Sequence, residues 1–137
     1  MRYMFLAALV LLLPSSASAA GLCKNSKNTL EMNACLSEEV RIARTELGKY
    51  LEESRRHYAE EPKSIAALDK AQKSWLDFQE AHCRAVYEIW SEGTIRNAKY
   101  ADCLLKSTRR RIHDLWEIYL TFVDSTPPLL PEPGSSE

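Results

Sequence analysis

Four cysteines, three histidines and a few spaced carboxylates are the residues of this 137-residue chain that could do chemistry. Cys23, Cys35, Cys83 and Cys103 lie far apart, with no C-x-x-C and no H-x-x-x-H. Neither a zinc site nor a thioredoxin-like dithiol has the spacing it needs. His82 precedes Cys83 with Glu80 nearby, but a Cys–His pair works only with a free thiolate beside the imidazole. Asp77 and Glu80 could serve as paired carboxylates for glycoside hydrolysis, yet on a helix they are i,i+3 neighbours on a convex surface. The expectation is a protein that is not an enzyme, with no catalytic residue, metal or cofactor. In the run Arg109-Arg110-Arg111 only Arg111 falls on a core-facing stripe. It is expected to pair with Glu80 or Asp77, and its two neighbours to be solvated.

The compartment decides what the cysteines do. Met1-Arg2, the apolar run Phe5 to Leu13, Pro14 and the small residues Ser15 to Ala20 form the pattern of a secretory signal peptide. The apolar run is well short of the roughly 20 residues that span a bilayer. Ala17-x-Ala19 places cleavage after Ala19 or Ala20, and the bulky Leu22 before Cys23 does not suit lipoprotein processing. The mature chain is expected in the periplasm or secreted, with no membrane attachment, where four cysteines form two disulfides. A net charge of −1 argues against nucleic acid as a partner, since phosphate-binding domains carry a basic excess.

Three helices must position these groups. Asn28-Thr29-Leu30-Glu31 is a capping-box start. Leu36, Val40, Ala43, Leu47, Tyr50, Ser54 and Tyr58 then recur at spacings of four and three. Glu61-Pro62 ends this helix and opens the next. There Ile65, Leu68, Ala71, Trp75, Phe78, His82, Ala85 and Ile89 form the expected buried stripe, and Gly93 is the expected stop. A third helix from around Asn97 carries Leu104, Thr108, Arg111, Leu115, Ile118 and Phe122. The fold class is all-α, a three-helix antiparallel bundle stapled by two disulfides. Residues 1–20 are the signal peptide, 21–124 the helical domain and 125–137 a flexible Pro-rich tail.

Short connections make successive helices antiparallel, which levels all four cysteines at one end of the bundle. Three pairings are possible, and levelling favours Cys35–Cys83 with Cys23–Cys103.

Thr29-Leu30-Glu31-Met32-Asn33-Ala34-Cys35 resembles the T-x-E-M-N-x-C opening of the lysozyme inhibitor LprI-like N-terminal domain family. Ala71 to Cys83 is similar to its A-Q-x-x-W-x-x-F-R-D-A-x-C signature, and Cys103 to Leu115 to its C-L-x-x-L-T-x-x-R-x-x-x-L element. The resemblance covers about Cys23 to Phe122 and makes Met32, Asn33, Gln72, Trp75, Phe78 and Arg111 structural motif positions. The chain departs from the pattern with Gln79 for Arg, Glu80 for Asp and Ser107 for Leu. The first two remove an ion pair that the pattern would carry. The resemblance implies an exported, disulfide-bonded helical binding protein, with a lysozyme-type muramidase or another envelope protein as partner. A structural or stress protein of the envelope is the alternative class. For a basic lysozyme the candidate contacts are Glu38, Glu39, Glu52 and Glu53 on helix one and Trp90 in the loop after helix two.

Overall fold

The structure, a computed structural model, describes residues 23–134; the expected signal peptide lies outside the described residues. After a short 3-10 turn at 23–25 come α1 (Thr29–His57), α2 (Pro62–Ile89) and α3 (Arg96–Leu115), with a π-helical turn, Trp116–Leu120, extending α3.

The helix boundaries follow the local chemistry. Asn28 Oδ1 accepts from the Glu31 backbone N–H at 2.9 Å, and the Glu31 carboxylate accepts from the Lys27 N–H at 2.9 Å. These bonds satisfy donors that the first turn leaves open. Pro62 is the first residue of α2, where its missing N–H costs nothing. Gly93 does not cap α2. The helix ends at Ile89 and the chain turns through Gly93 N–H to Trp90 O at 2.9 Å, with no positive φ at any described glycine.

Two core layers show the direction in which each helix runs. One holds Val40 and Ala43 of α1, Cys83 of α2 and Ala101, Leu104 and Leu105 of α3. The other holds Leu47 and Tyr50, Leu68, and Ile112, Leu115 and Leu120. Thus α1 and α3 run parallel and α2 runs against them. α3 packs along both other helices, and an ion pair from Arg55 to Asp69 at 2.7 Å links α1 to α2. Each fully buried leucine or isoleucine contributes about 1.5–3 kcal/mol, so this double layer is the main source of stability.

The stripe read for α1 is the one observed: Val40, Ala43, Leu47, Tyr50 and Ser54 are buried, and Leu36 and Tyr58 half-buried. In α2 the stripe is rotated. Leu68, Gln72, Gln79 and Cys83 are buried, whereas Ala71, Phe78, His82, Ala85 and Ile89 are exposed. Phe78 is a motif residue, yet it lies outside the core. The cause is polar. Gln72 and Gln79 meet buried groups of α3, and the Cys83 bridge fixes the rotation of the helix. In α3 the stripe holds through Leu115, but the wider π turn brings Leu120 inward and leaves Ile118 exposed.

Both disulfides form, with a pairing different from the one levelling favours. Cys23 bonds Cys35 and Cys83 bonds Cys103, with Cα separations of 5.8 and 5.6 Å. Cys83 shares its layer with Val40. Cys35 stands five residues earlier on α1, about 7 Å further along the axis, at the limit of what a disulfide can span. The N-terminal segment is nearer, and its shorter loop costs less entropy to close.

The segment after the π turn is not wholly a free tail. Leu129 and Leu130 pack on the second core layer and Pro133 is buried. Tyr50 Oη donates to Pro131 O at 2.7 Å, Trp116 Nε1 to Leu130 O at 3.0 Å, and the Leu129 N–H to Leu120 O at 2.9 Å. Two leucines and two prolines suit docking better than solvation, which a reading of Pro-rich composition overlooks.

Candidate functional site

The acidic residues proposed on α1 are each matched by an arginine. Glu38 accepts two bonds from Arg41, at 2.8 and 2.6 Å, which hold its carboxyl below the usual range. Glu52 lies 3.6 Å from Arg55, and Glu53 pairs with Arg56. Glu39 is not a surface residue: it is buried and bonded to Arg109 of α3 at 3.0 Å. Arg109 is therefore half-buried and paired, not solvated as expected. Its position beside the α1–α3 seam explains why a stripe drawn on α3 alone misses it. The i,i+3 Glu-to-Arg spacing at 38/41, 52/55 and 53/56 is the sequence signal for self-neutralisation.

Trp90 is 42% exposed at the start of the α2–α3 loop. The Lys99 ammonium stands 4.8 Å from its ring centroid, a cation–π contact that orients the indole. Behind it, the Arg96 guanidinium lies 5.1 Å from the Tyr87 ring, and Arg84 lies near both Tyr87 and Tyr100. Tyr100 donates to Glu80 at 3.0 Å. Burial, and then that bond to a carboxylate, push its phenol upward. This end of the bundle is an aromatic platform braced by cations.

The residues considered for catalysis are separated or occupied. Cys83 is oxidised. Asp77 bonds Lys73 at 2.9 Å, and Glu80 is shared between Arg84 and Tyr100. His82 stacks on Phe78 with centroids 5.4 Å apart. Among the described residues no three His, Cys, Asp or Glu gather at a metal-binding spacing.

Arg111 does not reach Glu80 or Asp77. Its Nε donates to Gln72 Oε1 at 3.0 Å, and its buried Nη2 has no protein partner among the described residues. The motif residues Gln72 and Arg111 are thus one contact between α2 and α3. Half-buried Trp75 packs against the second core layer. Met32 and Asn33 are half-buried on the first turns of α1, next to the Cys23–Cys35 bridge.

Two of the three departures from the motif, Gln79 and Ser107, meet each other. Gln79 Nε2 donates to Ser107 Oγ at 2.7 Å and Thr108 Oγ1 at 3.0 Å, with Leu104 O at 3.3 Å. Ser107 and Thr108 direct their own hydroxyl protons to backbone carbonyls one turn earlier. An amide donor facing the Ser107 hydroxyl thus stands where the pattern has Arg and Leu, with the motif's own Thr108 as the second acceptor. Sequence reading found each departure and missed that these two are partners, because they lie on different helices.

No curated protein and no solved structure matches the chain significantly. A family model described as "Lysozyme inhibitor LprI" matches residues 23–115, from the first disulfide cysteine to the end of α3. With both disulfides, all three helices and the Gln72–Arg111 contact inside that match, this chain belongs to the lysozyme inhibitor LprI family.

Proposed function

We propose that this protein is an exported binding protein of the bacterial envelope that blocks a lysozyme-type muramidase. The observation that supports it most is the family match across nearly the whole disulfide-bonded bundle. Such a bundle holds its surface rigid, so little ordering entropy is lost on docking. Trp90, braced by Lys99, is the apolar contact. The carboxylates Glu38 and Glu52 stay in solvent and assist approach to a basic enzyme, but their arginine partners weaken the field they project.

Export is part of the same reading. The signal-like segment 1–20 supports it, and among the described residues no helix is long and apolar enough to cross a membrane. Intact mass of the protein recovered from its host tests this part. A mature chain starting at Ala20 or Gly21 agrees, a chain that keeps residues 1–19 refutes export, and a diacylglyceryl adduct on Cys23 refutes the unlipidated N-terminus.

Inhibition is tested by turbidity clearance of cell walls by a basic lysozyme, with and without the purified protein. Inhibition that Trp90→Ala weakens about tenfold, the loss of roughly 1.4 kcal/mol of contact, supports the proposal. No inhibition by the unmodified protein refutes it for that class of enzyme.

A further inference from the structure

The stripe of α2 that the core leaves uncovered is regular. Ala67, Ala71, Ser74, Phe78, His82, Ala85 and Ile89 are all exposed and all on one side of the helix. Phe78 is 61% and Ile89 78% exposed. An exposed stripe of alanines with two large hydrophobics, interrupted only by Ser74 and His82, marks a contact surface more often than an accident of composition. It extends for about 33 Å along the helix.

Its spacing carries more information than its hydrophobicity. Counted outward from Phe78 in either direction, the stripe residues fall at steps of four, three and four. A pattern that reads the same both ways is matched by a second copy of itself running antiparallel. Ala71 of one copy then stands opposite Ala85 of the other, Ser74 opposite His82, and Ala67 opposite Ile89, with the two Phe78 rings at the dyad. Ser74 beside the central aromatic, and Ala71 and Ala85 one step further out, let two helices approach closely and leave a recess for the stacked Phe78 and His82 rings of the other copy. His82 stacks on Phe78 with nearly parallel rings, 7° apart, so the ring is held in place before any contact is made.

The charges beside the stripe agree. Lys70 and Glu88 are exposed on its outer flank and take part in no ion pair among the described residues. In the antiparallel register each Lys70 falls within a turn of the other copy's Glu88, twice by symmetry. Of the other charged residues on that side, Asp77 and Arg84 are engaged within their own helix by Lys73 and Glu80, and Lys63, on the first turn, falls beyond the end of the other copy's helix in this register.

We infer that α2 is a self-association surface: two copies pair antiparallel through this stripe in an isologous, two-fold contact. The contact is narrow, below the standard size of stable dimers, so the dimer is reversible and dependent on concentration. The Trp90 loops then lie at opposite ends of the pair, and each copy keeps its own muramidase contact.

Sedimentation velocity of the purified, disulfide-bonded protein from roughly 10 to roughly 500 μM covers the range expected for a contact of this size. A reversible shift from monomer to dimer is expected. Phe78→Glu should abolish it, with circular dichroism and thermal unfolding unchanged because the residue is exposed. Lys70→Glu and Glu88→Lys should each weaken dimerisation severalfold, and the double reversal should restore it. Mild oxidation of Phe78→Cys should give a covalent dimer. A protein that stays monomeric throughout, or a dimer indifferent to Phe78→Glu, overturns the inference. So does a monomer whose lysozyme inhibition is lost in Phe78→Glu, which would assign the stripe to the enzyme instead. Inhibition by the unmodified protein is read separately, so failure here leaves the proposed function standing.

Discussion

Removing the bridge between α2 and α3 should cost far more than removing the one at the N-terminus. Cys83–Cys103 closes a loop of 20 residues and Cys23–Cys35 one of 12. With the chain-entropy relation, the constraint on the unfolded state amounts to about 3.3 kcal/mol for the first and about 2.8 kcal/mol for the second. The native states of the two variants differ much more. Cys83 is fully buried in the core layer it shares with Val40, so Cys83→Ala/Cys103→Ala keeps its helices packed, bears the whole entropic term and loses buried sulfur contacts besides. In Cys23→Ala/Cys35→Ala the segment before Thr29 can fray by itself, which returns entropy to the folded state and limits the loss to about 1 kcal/mol. Over roughly 110 ordered residues the unfolding entropy is about 0.23 kcal/mol/K, so the expected falls in Tm are about 14 °C and about 4 °C. Thermal unfolding followed by circular dichroism, with urea titration for the free energies, reads both. Equal losses, or a larger loss at the N-terminal bridge, would refute this ranking.

Three further outcomes follow from the interior. Gln72→Ala takes away the one side-chain bond that the buried Arg111 guanidinium makes among the described residues and should cost about 2–3 kcal/mol. Gln72→Leu/Arg111→Met, which removes the charge as well, should cost less in the same urea titration. Breaking the half-buried Glu39–Arg109 pair by Glu39→Gln should destabilise by about 2 kcal/mol and couple strongly to Arg109→Met in a double-mutant cycle. Tyr50→Phe removes the bond to Pro131 and should cost about 1 kcal/mol, with faster proteolysis of the docked segment after Leu129. Burial, helped by the charge of Glu46, raises the Tyr50 phenol. The neutral phenol's contribution is therefore complete below the ordinary tyrosine value of about 10 and is lost as pH rises through the higher folded-state value. Urea titrations stepped upward from about pH 9 should show a larger loss in the unmodified protein than in Tyr50→Phe, which keeps the raised Tyr100 phenol.

How much of this was legible depended on which forces set each face. α1 buries an ordinary apolar stripe, and its period showed the core of it, Val40, Ala43, Leu47, Tyr50 and Ser54, but not the buried Glu39 beside it. The inner face of α2 contains two glutamines, so a search for apolar recurrence settled on the neighbouring stripe of Ala71, Phe78 and Ile89, which is apolar for a different reason. The cysteines signalled two bridges, but pairing turns on a few ångströms along the α1 axis that residue counting does not resolve. Glu39 looked like one more surface acid, because its partner Arg109 lies 70 positions away. The motif residues Gln72 and Arg111 were recognised as structural from their pattern, and only packing showed that they bond to each other.

The bridges join neighbours in order: first cysteine to second, third to fourth. A chain that enters an oxidising compartment N-terminus first exposes Cys23 and Cys35 while the other two are still to come. The first available partner is then the right one, and the same holds again for the second pair. Crossed or nested connectivities lack this property, because they require an early cysteine to wait or an early bond to be undone. On the proposed export route, maturation therefore calls for an oxidant alone, and a host without a disulfide-reshuffling catalyst should produce the protein in full yield.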